Sequence, residues 1–109
     1  MSNNKIYSLV FDEVIVKQLK KEASDKNIKN ILTKMLDRLE EKGPRAGKLL
    51  DSKLFIYELK NKRPPIRLYF KHINSSNELY VFEFEMKRSD KKQKITIEKI
   101  RSKAENLES

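Results

Sequence analysis

The chain has 109 residues, a formal net charge of +9, 38 % apolar and 38 % charged residues, and no cysteine. That length holds one domain, residues 1–109, with one modest core. The missing thiols exclude a disulfide scaffold, a thiolate metal site and cysteine catalysis, and suit a reducing cytoplasm.

Residues 1–13, MSNNKIYSLVFDE, lack a basic region followed by an apolar run, so no secretory signal is expected. No window approaches the roughly 18 apolar residues of a membrane span. KIYSLVF (5–11) alternates Tyr7, Leu9 and Phe11 with Ile6, Ser8 and Val10, which predicts a strand. Asp12 is a candidate N-cap for a first helix in which Val16, Leu19 and Ala23 fall at helical spacing. The strongest periodic signal follows. Ile28, Ile31, Leu32, Met35, Leu36 and Leu39 mark one face of a second helix, capped by Ser24 or Asp25 and stopped by Gly43-Pro44.

PRAGKLLDSK (44–53) reads as a loop. Three strands are predicted next: LFIYELK (54–60), PIRLYFKH (65–72) and ELYVFEFEM (78–86), the last two joined by INSSN. In the second of these, Ile66, Leu68 and Phe70 oppose Arg67, Tyr69 and Lys71; in the third, Tyr80, Phe82, Phe84 and Met86 oppose Leu79, Val81, Glu83 and Glu85. KRSDKKQK (87–94) reads as a charged loop before a closing helix at 95–104, whose apolar stripe of Ile97, Ile100 and Ala104 is thin. The expected fold is α+β, in the order β-αα-βββ-α. A helical hairpin covers one face of an antiparallel four-stranded sheet, and the other face is left open.

The positive charge is uneven. Residues 42–72 hold nine Lys/Arg against two Asp/Glu, and residues 87–103 hold eight against two. An anionic polymer is the natural partner of two such blocks. With one histidine and no cysteine, no metal-ligand cluster has suitable spacing, and no cofactor is implied.

Four elements in order, GPRAGKLL (43–50), YELK (57–60), IRLYF (66–70) and FEMK (84–87), resemble the RelE/ParE superfamily of toxin–antitoxin toxins, and within it the HigB-like, phage-derived branch. The resemblance covers about residues 5–104. It implies a toxin of a type II toxin–antitoxin system that cuts mRNA on the ribosome by attack of a ribose 2′-OH on its own 3′-phosphate, with a cognate antitoxin, acidic or helix-turn-helix, as partner. Such chemistry needs a base, cations on the phosphate and an acid. Arg67 matches the family's strand arginine, Lys60 stands at a second arginine position, and Lys87 or Arg88 matches a turn cation. The family often carries a catalytic Tyr or His near its C-terminus; after Tyr80 this chain has neither. Glu58, Glu83 and Glu85 are then the candidate proton-transfer groups, Glu58 foremost. Lys48, Tyr69, Lys71, Lys91, Lys92 and Lys94 are expected to contact RNA, Tyr69 by stacking on a base. His72 falls on the core-facing parity and reads as structural. Two alternatives share this reading: a ParE-like gyrase inhibitor, and a basic RNA-binding module without chemistry.

Overall fold

A computed structural model describes residues 5–86 and 89–107. Its elements are β1 (Ser8–Phe11), α1 (Glu13–Lys21), α2 (Lys26–Lys42), β2 (Lys48–Asp51), β3 (Ile56–Asn61), β4 (Ile66–Ile73), β5 (Glu78–Met86) and α3 (Asp90–Ala104). The strands form one sheet in the order β1-β5-β4-β3-β2. β1 runs parallel to β5, and the other neighbours are antiparallel. The α+β class is as expected, but the sheet has five strands and is mixed. The extra strand, β2, lies in the stretch expected to be a loop. Four residues, KLLD, are too few to show a period; the strand forms because Asp51 accepts the N–H groups of Lys53 and Leu54, both at 3.0 Å, and turns the chain back into β3.

The helical hairpin follows its capping signals. Asp12 accepts from the Val14 N–H at 3.0 Å, and Asp25 from those of Asn27 and Ile28 at 3.1 Å. Leu32, Met35 and Leu39 of α2 are buried against Leu59, Leu68, Phe70, Leu79 and Val81. α1 differs from its predicted phase: Ile15 is the buried residue and Val16 is exposed. The Gln18 amide of α1 also completes the sheet. Where β1 has ended, its Nε2 donates to the Phe84 carbonyl (2.8 Å) and its Oε1 accepts the Phe84 N–H (2.9 Å), so one side chain replaces a missing strand.

The opposite face is not open, as the sequence had led one to expect. α3 lies across it, burying Ile56, Tyr69 and Phe82 against Ile100 and Ala104. The helix starts at Asp90, inside the predicted loop, because Ser89 Oγ caps the Lys92 N–H at 3.2 Å. The alternation predicted for β5 also breaks. Tyr69 pairs with Glu83 but Phe70 with Val81, so Phe82 is the extra residue of a β-bulge. As a result Phe82 joins the core beneath α3, whereas Phe84 and Met86 turn to the helical hairpin.

Gly43 ends α2 with φ +58° and ψ −135°, a conformation essentially restricted to glycine, and a Cβ there would stand 2.4 Å from the Tyr7 ring. Gly43→Ala should therefore cost on the order of 1–3 kcal/mol from the backbone alone. Urea unfolding checks this through the midpoint, which should fall with the slope unchanged.

Candidate functional site

The side chains singled out on β4 do share a face. Arg67, Tyr69 and Lys71 point toward α3, with Lys60 of β3 paired to Arg67 and Glu58 to Tyr69 across the strands. Arg67 is 8 % exposed and Glu58 3 %. One guanidinium nitrogen, Nη1, donates to both Glu58 oxygens at 2.6 and 2.9 Å, while Arg67 Nε is buried without a hydrogen-bond partner among the described residues. Gln93 of α3 closes over the pair, its Nε2 3.4 Å from Glu58 Oε2. Arg67 and Glu58 are brought together, then, but as an ion pair beneath a helix. Glu58 can touch a substrate only if the first turns of α3 move, whereas Arg67 also borders a surface depression with Lys60 and Lys62.

The remaining predicted residues divide by exposure. Tyr69 is completely buried; its hydroxyl donates to Glu85 Oε1 at 2.6 Å, and burial together with that carboxylate raises its pKa far above the ordinary phenol value. No ring face is open to a base, which corrects the stacking expected of it. Lys71 is also completely buried, donating to the Leu54 carbonyl at 2.6 Å with its ammonium 5.5 Å from the Phe55 ring centroid. Desolvation lowers its pKa, offset in part by the charge of Asp51. It is a structural cation here, not an RNA contact. Lys48, Lys60, Lys91, Lys92 and Lys94 are exposed, whereas Lys87 and Arg88 fall outside the described residues. His72 packs edge-on to Tyr7, ring centroids 5.9 Å apart, with Nε2 3.4 Å from Asn77 Oδ1.

Sequence reasoning missed what holds α3 in place. Gln93 meets Glu58, Thr96 donates to Glu85 (2.8 Å), the Lys99 ammonium stands 3.0 Å from Glu83 as an ion pair off the hydrogen-bond direction, Arg101 donates to Asp51 (3.0 Å) and Lys103 to Asp12 (3.0 Å). Each contact runs from a donor on α3 to a carboxylate below it. These anchors supplement the apolar stripe that looked thin, and none of the three candidate proton-transfer carboxylates is left free. Burial of Asp12 works against its charge, yet the Val14 N–H, the Tyr80 hydroxyl and Lys103 together hold its carboxyl below the ordinary value. Tyr80 is correspondingly pushed up to about 12, chiefly by burial and then by its bond to Asp12. Asp51 is lowered chiefly by the Leu54 N–H; its desolvation opposes this, and Lys53 N–H and Arg101 lower it further.

No family model matches the chain, and no curated protein does. Solved structures do. The isolated Escherichia coli RelE toxin is 25 % identical, with a TM-score of 0.62 over 86 % of this chain and 98 % of that one. A double arginine-to-alanine variant of E. coli RelE in the free state gives 23 % and 0.66 over 87 % and 98 %. The Mycobacterium tuberculosis RelBE2 toxin–antitoxin complex gives 15 % and 0.61 over 76 % and 93 %. The chain therefore has a fold similar to that of RelE toxins.

The anchors on Asp12 and Asp51 make α3 sensitive to acid. A carboxyl whose folded pKa is depressed stabilises the fold above its unfolded value, about 4, and that stabilisation is lost as pH falls through the lower folded value. Below about pH 4, amide exchange in residues 96–104 should accelerate before exchange in β4 does. The variant Arg101→Met/Lys103→Met should show faster α3 exchange already at neutral pH and a weaker acid response. Parallel acceleration of α3 and β4 would show that the helix opens only with the whole fold.

Proposed function

We propose that this chain is the toxin of a type II toxin–antitoxin pair, acting in the cytoplasm as a ribosome-dependent mRNA endoribonuclease. The observation that carries this reading is the cross-strand pair of Lys60 and Arg67 on a RelE-like sheet, one cation exposed and the other holding a guanidinium nitrogen unpartnered among the described residues. A guanidinium and an ammonium side by side suit a phosphate whose charge grows as a ribose 2′-OH attacks it. Glu58, released from Arg67, is the nearest carboxylate to accept the hydroxyl proton. The GPRAGKLL and strand motifs support the HigB-like branch within the superfamily. The neutralising partner is a cognate antitoxin, as RelB is for RelE in the E. coli RelBE complex.

One observation favours a second reading, a basic RNA-binding module without chemistry. Glu58, Glu83 and Glu85 are all engaged, and no Tyr or His follows Tyr80. Induced expression separates the two readings: primer extension on translated messages should reveal cuts, and their absence with growth arrest retained would favour binding alone. Altered plasmid supercoiling would instead indicate a ParE-like gyrase inhibitor.

Replacing Arg67 alone leaves Glu58 as an unpaired buried charge, which costs about 3–5 kcal/mol and confuses folding with function. Glu58→Gln/Arg67→Gln removes both charges together and leaves two amides that can hydrogen-bond each other. That variant should remain folded by circular dichroism and lose mRNA cleavage about a hundredfold or more. Full toxicity in it would show that the site lies elsewhere.

A further inference from the structure

Two depressions flank the β3–β4 hairpin, and they meet at Lys60 and Asn61. One is bordered by Lys34 and Arg38 of α2 with Lys60; the other by Lys60, Lys62 and Arg67. Among the described residues, neither has a carboxylate in its wall. The contrast is the groove between α1 and α3, whose cations Lys21, Lys92 and Lys99 share the walls with Glu22, Glu83 and Glu85. Lys34, Arg38, Lys60 and Lys62 are all exposed, and no ion pair among the described residues includes them. Lys34 and Arg38 stand four residues apart on α2 and so repel each other across one helix face.

We infer that these four cations form a continuous track for the phosphate backbone of single-stranded RNA, leading from Arg67 around the hairpin to α2. The inference rests on the RNA-directed reading above and adds where the strand runs beyond the reacting phosphate. An acidic peptide fits less well. Apolar anchors for it are few, since Met35 and Leu59 are each only 6 % exposed, and the β3 edge that β2 leaves uncovered, Leu59 to Asn61, is too short to template a strand. A phosphate chain needs neither. No aromatic residue lines either depression, so the track contacts backbone and is indifferent to base sequence.

The test is the salt dependence of binding to a labelled oligouridylate of about 12 nucleotides, followed by fluorescence anisotropy. Lys34→Gln/Arg38→Gln should reduce the slope of log K against log salt by about 1.4, at about 0.7 for each lost contact to a single strand. An unchanged slope, with the wild type binding normally, overturns the track. So does loss of polyglutamate binding in the variant with RNA binding intact, which would make the surface a peptide site. Failure of the wild type to bind RNA removes the functional reading and the track with it. A reduced slope in a protein that never cuts mRNA sustains the track and overturns the nuclease reading alone.

Discussion

Arg67 and Glu58 lie buried against each other between a sheet and a helix, and neither charge is tolerable there without the other. Removing both ions from water is costly, so the pair contributes little net stability compared with two apolar residues. What it does impose is composition. A helix that covers a charged floor has to bring donors with it, and α3 brings Gln93, Thr96, Lys99, Arg101 and Lys103 at intervals along its underside. Its apolar contribution is limited to Ile97, Ile100 and Ala104 because the rest of the contact is polar. The two faces of one sheet therefore follow different rules: α1 and α2 pack by aliphatic interdigitation, and α3 by matched charge.

That division explains why the two basic blocks of the chain are not equivalent. In the block at 87–103, Lys99, Arg101 and Lys103 each meet a carboxylate beneath or beside α3, and Lys91, Lys92 and Lys94 on its first turns meet none among the described residues. In the block at 42–72, Lys60 and Lys62 meet none among the described residues, and they stand beside the likewise unpaired Lys34 and Arg38 of α2. A field able to attract phosphate therefore projects from the hairpin end of the sheet. Linear charge counts assign the blocks nearly equal weight; the carboxylates of the fold decide which cations remain available.

Much of the architecture was legible in the residues. The α2 stripe, the caps at Asp12 and Asp25, the β4–β5 hairpin and the shared face of Arg67, Tyr69 and Lys71 all follow from periodicity and turn chemistry. The failures have definite causes. A β-bulge adds one residue to a strand, so a strict period of two cannot carry one face across Phe82: Phe84 and Met86 meet the helical hairpin, and Tyr80 and Phe82 lie beneath α3 instead. β2 is shorter than any detectable period. The cover over Arg67 was invisible because hydrophobic patterning sees only apolar contact, and α3 docks largely through hydrogen bonds and ion pairs. Tyr69 and Lys71 were placed on the correct face, yet their accessibility depended on that unseen cover. The signal that could have revealed it was Glu83 and Glu85 on β5, a strand with no cation of its own, which demand donors from somewhere.

The parallel partnership of β1 with β5 has a further consequence for how the protein comes into being. Ser8 pairs with Glu78, and the contact spans most of the chain. As the polypeptide is synthesised, α1 and α2 can form early, but the strand before them has no neighbour until residue 78 and beyond have been made. The residues that cover Arg67 come later still, from Gln93 onward. A nascent chain therefore passes through an interval in which the helical hairpin exists without its sheet, and a second in which the sheet exists with its ionic floor exposed to water. During the second interval Arg67 and Glu58 are solvated, and their attraction is weak. Closure of α3 dries and strengthens that pair, which makes the last helix to emerge the element that sets the final electrostatics of the whole face.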